Sequence, residues 1–275
     1  MFLKTAKIRV GLLIAILNRS SSFTPFYKKQ QLRSYSTTKT KLMGWSDTWS
    51  DILSGGNPRW KVTGEDCHTK ALAHFQEYVK GDPADISVLC PLAGDDPFVY
   101  LLFTKGYSVT TIDLVPAAVE EMKKQFQSGN GSESGPSLAQ EWTREEKDNT
   151  VIWKHGSGRA TLMVGDALQK RPGLVNQFDA VYDKDSFGAL PMQLRNAFCS
   201  RIAEYLKQGG IIYLECKLKD DHEKVLNIGP PFSLKEEDLM EKTSYGDAFD
   251  YVQGLGEIYN IQMAGQQTGH ILKRK

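Results

Sequence analysis

Between Val88 and Asp113 the chain reads VLCPLAGDDPFVYLLFTKGYSVTTID, and no other stretch limits its fold so tightly. An apolar strand runs into a turn holding one glycine and two aspartates; a helix follows, and a second strand ends in an acid. Strands joined in this way lie parallel, with a right-handed crossover. In such a unit the first strand-to-helix turn approaches a nucleoside cofactor closely. An acid ending the second strand, about 20 residues on, accepts hydrogen bonds from ribose hydroxyls. Gly94 and Asp113 meet that spacing. A pyrophosphate needs further glycines and free backbone N–H groups, and Asp95 and Asp96 stand in their place. Two carboxylates repel a diphosphate. They suit a cofactor that carries an ammonium and a sulfonium, as S-adenosylmethionine does.

The same alternation continues along the chain. Helical spacing of Trp45, Trp49 and Ile52 or Leu53 is broken by Ser54 to Pro58, and a second amphipathic helix over Thr69 to Val79 stops at Gly81-Asp-Pro83. Pattern and turn residues then predict a strand over Ile86–Pro91, a helix over Pro97–Lys105, a strand over Ser108–Ile112 and a helix over Pro116–Phe126. After a Gly/Ser/Asn-rich loop over Ser128–Ser137, Trp153 and Ala160–Val164 read as an extended pair. A strand over Phe178–Tyr182 follows, then a helix over Gln193–Leu206 ended by Gln208-Gly-Gly210, and a strand over Ile211–Cys216. The tail holds a helix near Leu234–Glu241 and strands near Tyr251–Ile261 and Gly269–Lys273. The expected fold is α/β: a Rossmann-like, doubly wound, seven-stranded, mostly parallel sheet with an antiparallel edge strand and an N-terminal helical lid.

Ligands of such sheets bind beyond the carboxyl ends of the strands, so the residues there are the candidates. Strand one offers Leu92 and Gly94, strand two Asp113 and Leu114, strand three Gly165 and Asp166, and strand four Asp183 and Lys184. Asp and Gly are common in turns and caps, so each alone says little; four strand ends in register say more. Asp113 is assigned to the ribose, Asp166 to the adenine edge and Gly94 to the methionine portion of the cofactor.

Nine of the chain's 34 Lys and Arg, and none of its 33 Asp and Glu, fall in the first 44 residues. The rest is net acidic, which argues against nucleic acid as a partner. Residues 1–43 read as a basic targeting or disordered leader ahead of a single domain over 44–275. Its serines and acid-free composition match a transit peptide, which implies a mitochondrion or other organelle; translation from Met43 would leave a cytoplasmic protein. Val10–Leu17 is too short to span a bilayer, so no stable membrane insertion is expected. Cys67, Cys90, Cys199 and Cys216 form no C-x-x-C pair, so neither a metal site nor a disulfide framework follows.

The order W-x3-W, RW, PLAG, TID, GDAL, FDAVYDKDSFGAL, YLKQGG and GPPFSL, from Trp45 onward, resembles the thiopurine S-methyltransferase family with its thiol, thiocyanate and halide methyltransferase relatives. The resemblance implies S-adenosyl-L-methionine as cofactor and methyl transfer to the sulfur of small thiols or sulfur anions by a monomer. It implies a lid of Trp45, Trp49 and Trp60 over cofactor and substrate, and cofactor contacts from Leu92, Asp113 and the Gly165-Asp166 pair. Asp183 and Lys184 would steer the nucleophile, with Trp60, Pro231 and Phe232 walling it. The mammalian thiopurine enzymes carry Arg where Lys184 stands; an ammonium is a mobile point charge, without the planar fork of a guanidinium. An O- or N-methyltransferase, a nicotinamide-dependent oxidoreductase and a non-catalytic cofactor-binding protein are the competing readings. The aspartates at 95 and 96 oppose the oxidoreductase.

Overall fold

Strands with apolar residues on both faces need a helical layer on each side, and the chain supplies both. The computed structural model describes residues 45–56, 65–128, 142–259 and 265–275, all within the compact unit Met43–Lys275. The basic leader with its targeting assignment, and Trp60 of the expected lid, lie outside them. Two helices, α1 (Trp45–Leu53) and α2 (Glu65–Tyr78), precede the first βαβ unit of β1 (Ser87–Pro91), α3 (Pro97–Thr104) and β2 (Ser108–Asp113). Next come α4 (Pro116–Ser128), β3 (Trp142–Lys147), β4 (Thr150–His155), β5 (Ala160–Val164) and β6 (Phe178–Lys184). The remainder is α5 (Ser186–Ala189), α6 (Met192–Tyr205), β7 (Leu206–Leu218), α7 (His222–Val225), α8 (Glu236–Leu239), β8 (Phe249–Tyr259) and β9 (Gln266–Arg274).

One mixed sheet runs β3-β4-β5-β2-β1-β6-β7-β9-β8. Its centre, β5-β2-β1-β6-β7, is parallel throughout, and both flanks are antiparallel. The order reverses between β1 and β6, the switch point at which a ligand crevice opens. Nine strands are present among the described residues, against the seven expected. The extended pair expected at Trp153 and Ala160–Val164 is β4 with β5; the strand not expected is β3, which reads WTREEK, is polar and exposed, and carries too little apolar patterning to be recognised from sequence.

Pleating sends alternate residues to opposite faces, and two apolar layers result. Val88, Cys90, Ala180, Tyr182 and Tyr213 pack under Phe75, Phe98, Leu102 and Met122 of α2, α3 and α4. On the other face Leu89, Ile112, Val181, Ile212 and Leu214 pack under Phe198, Ile202 and Tyr205 of α6, with Tyr245 and Phe249. Cys90, Cys199 and Cys216 are buried free thiols and Cys67 is half-buried. Several boundaries differ from expectation: α2 begins at Glu65 rather than Thr69 and β7 runs on to Leu218 rather than Cys216, and two differences change the path of the chain. Helix α6 stops at Tyr205 and the chain passes directly into β7, because Leu206 already pairs with Phe178 on β6. Near the tail, only Glu236–Leu239 is helical; the chain then turns back, with the Tyr245 N–H donating to the Leu239 carbonyl and the Gly246 N–H to that of Glu241. Among the described residues no helix is long and apolar enough to cross a membrane.

Candidate active site

The strand ends at the switch point surround a cavity of about 300 Å³. Its floor is the β1–α3 turn. Beyond Pro91 the chain folds back through two residues of positive φ, Leu92 at 46° and Gly94 at 57°, a region open to glycine and costly for leucine. The turn is tied to β2: the Leu92 N–H donates to the Ile112 carbonyl at 2.7 Å and the Gly94 N–H to Asp113 Oδ2 at 3.0 Å. Asp113 Oδ1 accepts from the Val115 N–H at 2.8 Å. One buried carboxylate therefore clamps two strand ends, and each of its oxygens keeps a further lone pair for a ligand hydroxyl. Burial raises its pKa, the Val115 and Gly94 N–H groups oppose that rise, and Asp95 adds to it. A Cβ on Gly94 would lie 3.3 Å from Trp49 Cζ2. Trp49 of α1, itself buried, lines the cavity beside this turn and packs with Val115 and Ala118. Of the other expected lid residues, Trp45 opens α1.

Asp96 explains why this turn is a poor diphosphate cradle. As N-cap of α3 its Oδ1 accepts from the Phe98 N–H at 2.9 Å, consuming a donor that a phosphate would need. Its Oδ2 accepts from the Tyr182 hydroxyl at 3.0 Å. Asp95 is also buried and lines the cavity. On the far side, Asp113 gives way to the exposed Leu114, and the turn after β5 contributes Asp166, Ala167 and Leu168. Asp166 Oδ1 is capped by the Leu168 N–H at 2.9 Å. Gly165 sits behind this wall and does not line the cavity. A Cβ there would meet Arg171 Nη2 at 2.7 Å, and Arg171 is engaged through Nη1 with the carbonyls of Asp166 at 2.7 Å and Gln169 at 3.0 Å.

At the end of β6 the pleat separates the two residues assigned to the nucleophile. Lys184 lines the cavity, whereas Asp183 turns into the opposite apolar layer and is fully buried. Asp183 Oδ1 accepts from the Ser186 N–H at 2.9 Å and the Phe187 N–H at 3.4 Å, and Oδ2 from the Tyr245 hydroxyl at 2.9 Å. Burial pushes its pKa up to about 6. Lys184 is surrounded by acids. Burial alone would lower its pKa, but Asp96, Asp185, Glu215 and Asp95 more than reverse this, so the ammonium holds its proton more tightly than usual. Glu215, the β7 residue in register with Lys184, is fully buried and accepts from the hydroxyls of Tyr213, at 2.9 Å, and Tyr259. Burial pushes it up to about 7, opposed by Lys184.

The acceptor side is apolar. Ala189, Leu190, Pro191 and Leu194, around the start of α6, line it together with Pro231. Phe232 does not; its ring lies 5.4 Å from the Arg195 guanidinium, and its N–H donates to the Gly188 carbonyl at 2.8 Å. Asp185, a strand-four end residue to which sequence reasoning assigned no role, also lines the cavity, from a left-handed backbone with φ 58°. The arrangement therefore offers an acidic clamp for vicinal hydroxyls, an apolar slot beside it, and one ammonium among carboxylates facing an apolar wall.

Residues 41–256 match the family model described as thiopurine S-methyltransferase. A curated thiopurine S-methyltransferase of Legionella pneumophila is 31% identical over 157 residues, which are 57% of this chain and 63% of that protein. One of Methylococcus capsulatus is 27% identical over 158 residues, 58% of this chain and 64% of that protein. The matched stretch thus spans a little under two thirds of these relatives' length. Among solved structures, a SAM-dependent methyltransferase of Methanosarcina mazei aligns with TM-score 0.55 at 16% identity, over 73% of this chain and 96% of its own. The glycopeptide N-methyltransferase MtfA, complexed with S-adenosyl-L-methionine, aligns with TM-score 0.54 at 15% identity, over 82% and 96%. At these identities the structural likeness speaks to the fold.

Proposed function

The chain belongs to the thiopurine S-methyltransferase family, and from that membership we propose that it transfers a methyl group from S-adenosylmethionine to the sulfur of a small thiol or sulfur anion. The observation that carries the cofactor assignment is the Asp113 carboxylate, fixed by the Gly94 and Val115 N–H groups with a lone pair left on each oxygen. Such a pair of acceptors fits the two hydroxyls of a ribose. Leu114, Ala167 and Leu168 supply an apolar slot for adenine, with Asp166 at its edge. Asp95 lies near the Gly94 turn and suits the ammonium of the methionine portion. Asp96 removes a helix N-terminal donor, so the same site disfavours a dinucleotide.

When bound, the cofactor supplies an electrophilic methyl on a sulfonium, whose thioether departs neutral and needs no acid. The residues then have two tasks. Lys184, kept charged by its acidic neighbours, stabilises a thiolate beside it, and Trp49 with the Leu190, Pro191 and Leu194 wall excludes water. Fixing the reactants in line can contribute roughly 7–11 kcal/mol in favourable cases. Asp183 positions the β6–α5 turn that follows Lys184. Incubation with methyl-labelled cofactor and a panel of sulfide, thiocyanate, iodide, aromatic thiols and a catechol tests the reading. Labelled sulfur products are expected first; label on the catechol alone would reject it. Calorimetric titration with S-adenosylmethionine and with NADH tests the cofactor separately.

A further inference from the structure

The turn after β5 walls the cavity through Asp166, Ala167 and Leu168, and a single arginine behind it holds its backbone. Arg171 Nη1 donates to the carbonyls of Asp166, at 2.7 Å, and Gln169, at 3.0 Å, while Nη2 donates to Thr150 Oγ1 on β4 at 3.2 Å. Three oxygens from two elements thus share one planar guanidinium. A second tie comes from α6: the hydroxyl of the fully buried Tyr205 accepts from the Arg171 N–H at 2.9 Å and donates to the Gln169 carbonyl at 2.9 Å. The turn is therefore fastened to both β4 and α6. Gly165 is what lets the guanidinium in, since a Cβ there would lie 2.7 Å from Arg171 Nη2 and 3.0 Å from Thr150 Oγ1. Gly165, Arg171 and Tyr205 all lie outside the cavity lining. Their effect on a ligand passes through the turn.

We propose that Arg171 and Tyr205 are positioning residues for the adenine of S-adenosylmethionine, and that Gly165 is glycine to admit the guanidinium rather than the cofactor. Asp166 is an exposed side chain on this turn, with its Oδ1 held by the Leu168 N–H. Its carboxylate meets the exocyclic amino group of the base only while the turn keeps this shape. A turn fixed before binding spares the ordering cost that a loose one imposes on the complex. Lysine does not substitute for the arginine, because a point-like ammonium has no fork to span the Asp166 and Gln169 carbonyls and the Thr150 hydroxyl at once. This inference rests on the assignment of Asp166 to the adenine edge and is independent of the methyl acceptor.

The probes are S-adenosylhomocysteine and S-inosylhomocysteine, which carries a carbonyl oxygen in place of the exocyclic amino group. Their dissociation constants are measured by calorimetry on the full chain and on its Arg171→Met, Arg171→Lys, Tyr205→Phe and Asp166→Ala variants, with a thermal melt of each. The unsubstituted protein should prefer the adenine ligand, and Asp166→Ala should lose that preference. Arg171→Met should cut it about 10-fold, the size of one lost hydrogen bond to a charged group, and Arg171→Lys should restore little. Tyr205→Phe removes one hydroxyl and keeps the buried ring, so it tests the same turn even where Arg171→Met does not fold; its preference should fall in the same direction. Adding Arg171→Met to Asp166→Ala should cost no further preference, as expected of residues that act through one another. A merely structural role lowers the melting temperature and weakens both ligands equally, and that result would overturn the proposal. Preference kept in Arg171→Met and Tyr205→Phe but lost in Asp166→Ala would also overturn it, while leaving the adenine assignment intact. An unsubstituted protein indifferent to the amino group would overturn both.

Discussion

Replacing Asp183 by asparagine and by alanine separates a positioning role from a chemical one. Its carboxylate is enclosed and holds two backbone N–H groups and the Tyr245 hydroxyl. Alanine leaves those donors unpaired, at roughly 1–3 kcal/mol each; because the Phe187 bond is long, about 3–5 kcal/mol in total is expected. For a domain of this size that lowers Tm by about 10 °C or more. Asparagine keeps one oxygen for Ser186 and Phe187 and turns its amide toward Tyr245, whose hydroxyl can accept instead. The pH dependence gives the sharper measurement. With a folded pKa of about 6 against an ordinary 3.8, the folded state keeps a proton that the unfolded chain releases. The contribution of this group is therefore greatest below pH 4 and is lost as pH rises to about 6. At about 1.4 kcal/mol per pH unit the swing is about 3 kcal/mol. Urea unfolding of Asp183→Asn and the unsubstituted protein between pH 4 and 7.5 should show the asparagine variant gaining on its parent by up to that amount. Its kcat at pH 7.5 should stay within a few-fold. A fall of 100-fold or more in kcat with the fold intact is what loss of a general base produces, and it would refute the positioning role. A stability difference that does not change with pH would refute the burial argument.

Asp113→Ala should weaken S-adenosylmethionine binding about 10- to 100-fold, from charge-assisted hydrogen bonds worth roughly 1.5–3 kcal/mol; unchanged affinity by calorimetry would remove the ribose assignment. Gly94→Ala forces a side chain into φ 57° and against Trp49, so a stability loss of about 1–2 kcal/mol and a weaker cofactor complex are expected in thermal melts with and without S-adenosylmethionine. Lys184→Met removes the cation that opposes the rise of Glu215. The pKa of Glu215, pushed up to about 7 in the parent, should climb further, extending to higher pH the range over which stability falls, while kcat/KM for a thiolate drops about 10-fold or more. Parent-like values of both would show that Lys184 acts on neither.

The parallel centre of the sheet was legible because a fully buried strand writes itself as an apolar run and a strand end writes itself in Gly and Asp. Val88 to Asp113 carries both signals, and β1, α3 and β2 fall where the pattern placed them. What escaped had weak local signals. The polar β3 has no apolar period to read. Leu190, Pro191 and Leu194 look like an ordinary helix start until β1 and β2 bring their turns opposite.

The pair at the end of β6 shows a different limit. Alternation alone separates Asp183 from Lys184, since neighbours in a strand face opposite sides, and Val181 and Tyr182 just before them lie in different apolar layers. By the same rule Asp185 should follow Asp183 away from the cavity. It does not, because its backbone is left-handed, which ends the alternation and leaves two adjacent residues of opposite charge on one wall. Aspartate is compatible with that conformation without requiring it, so the residue type could not announce the turn. An acid placed there remains next to a lysine whose pKa it raises, together with Asp96, Glu215 and Asp95, and that coupling makes Lys184 a fixed cation.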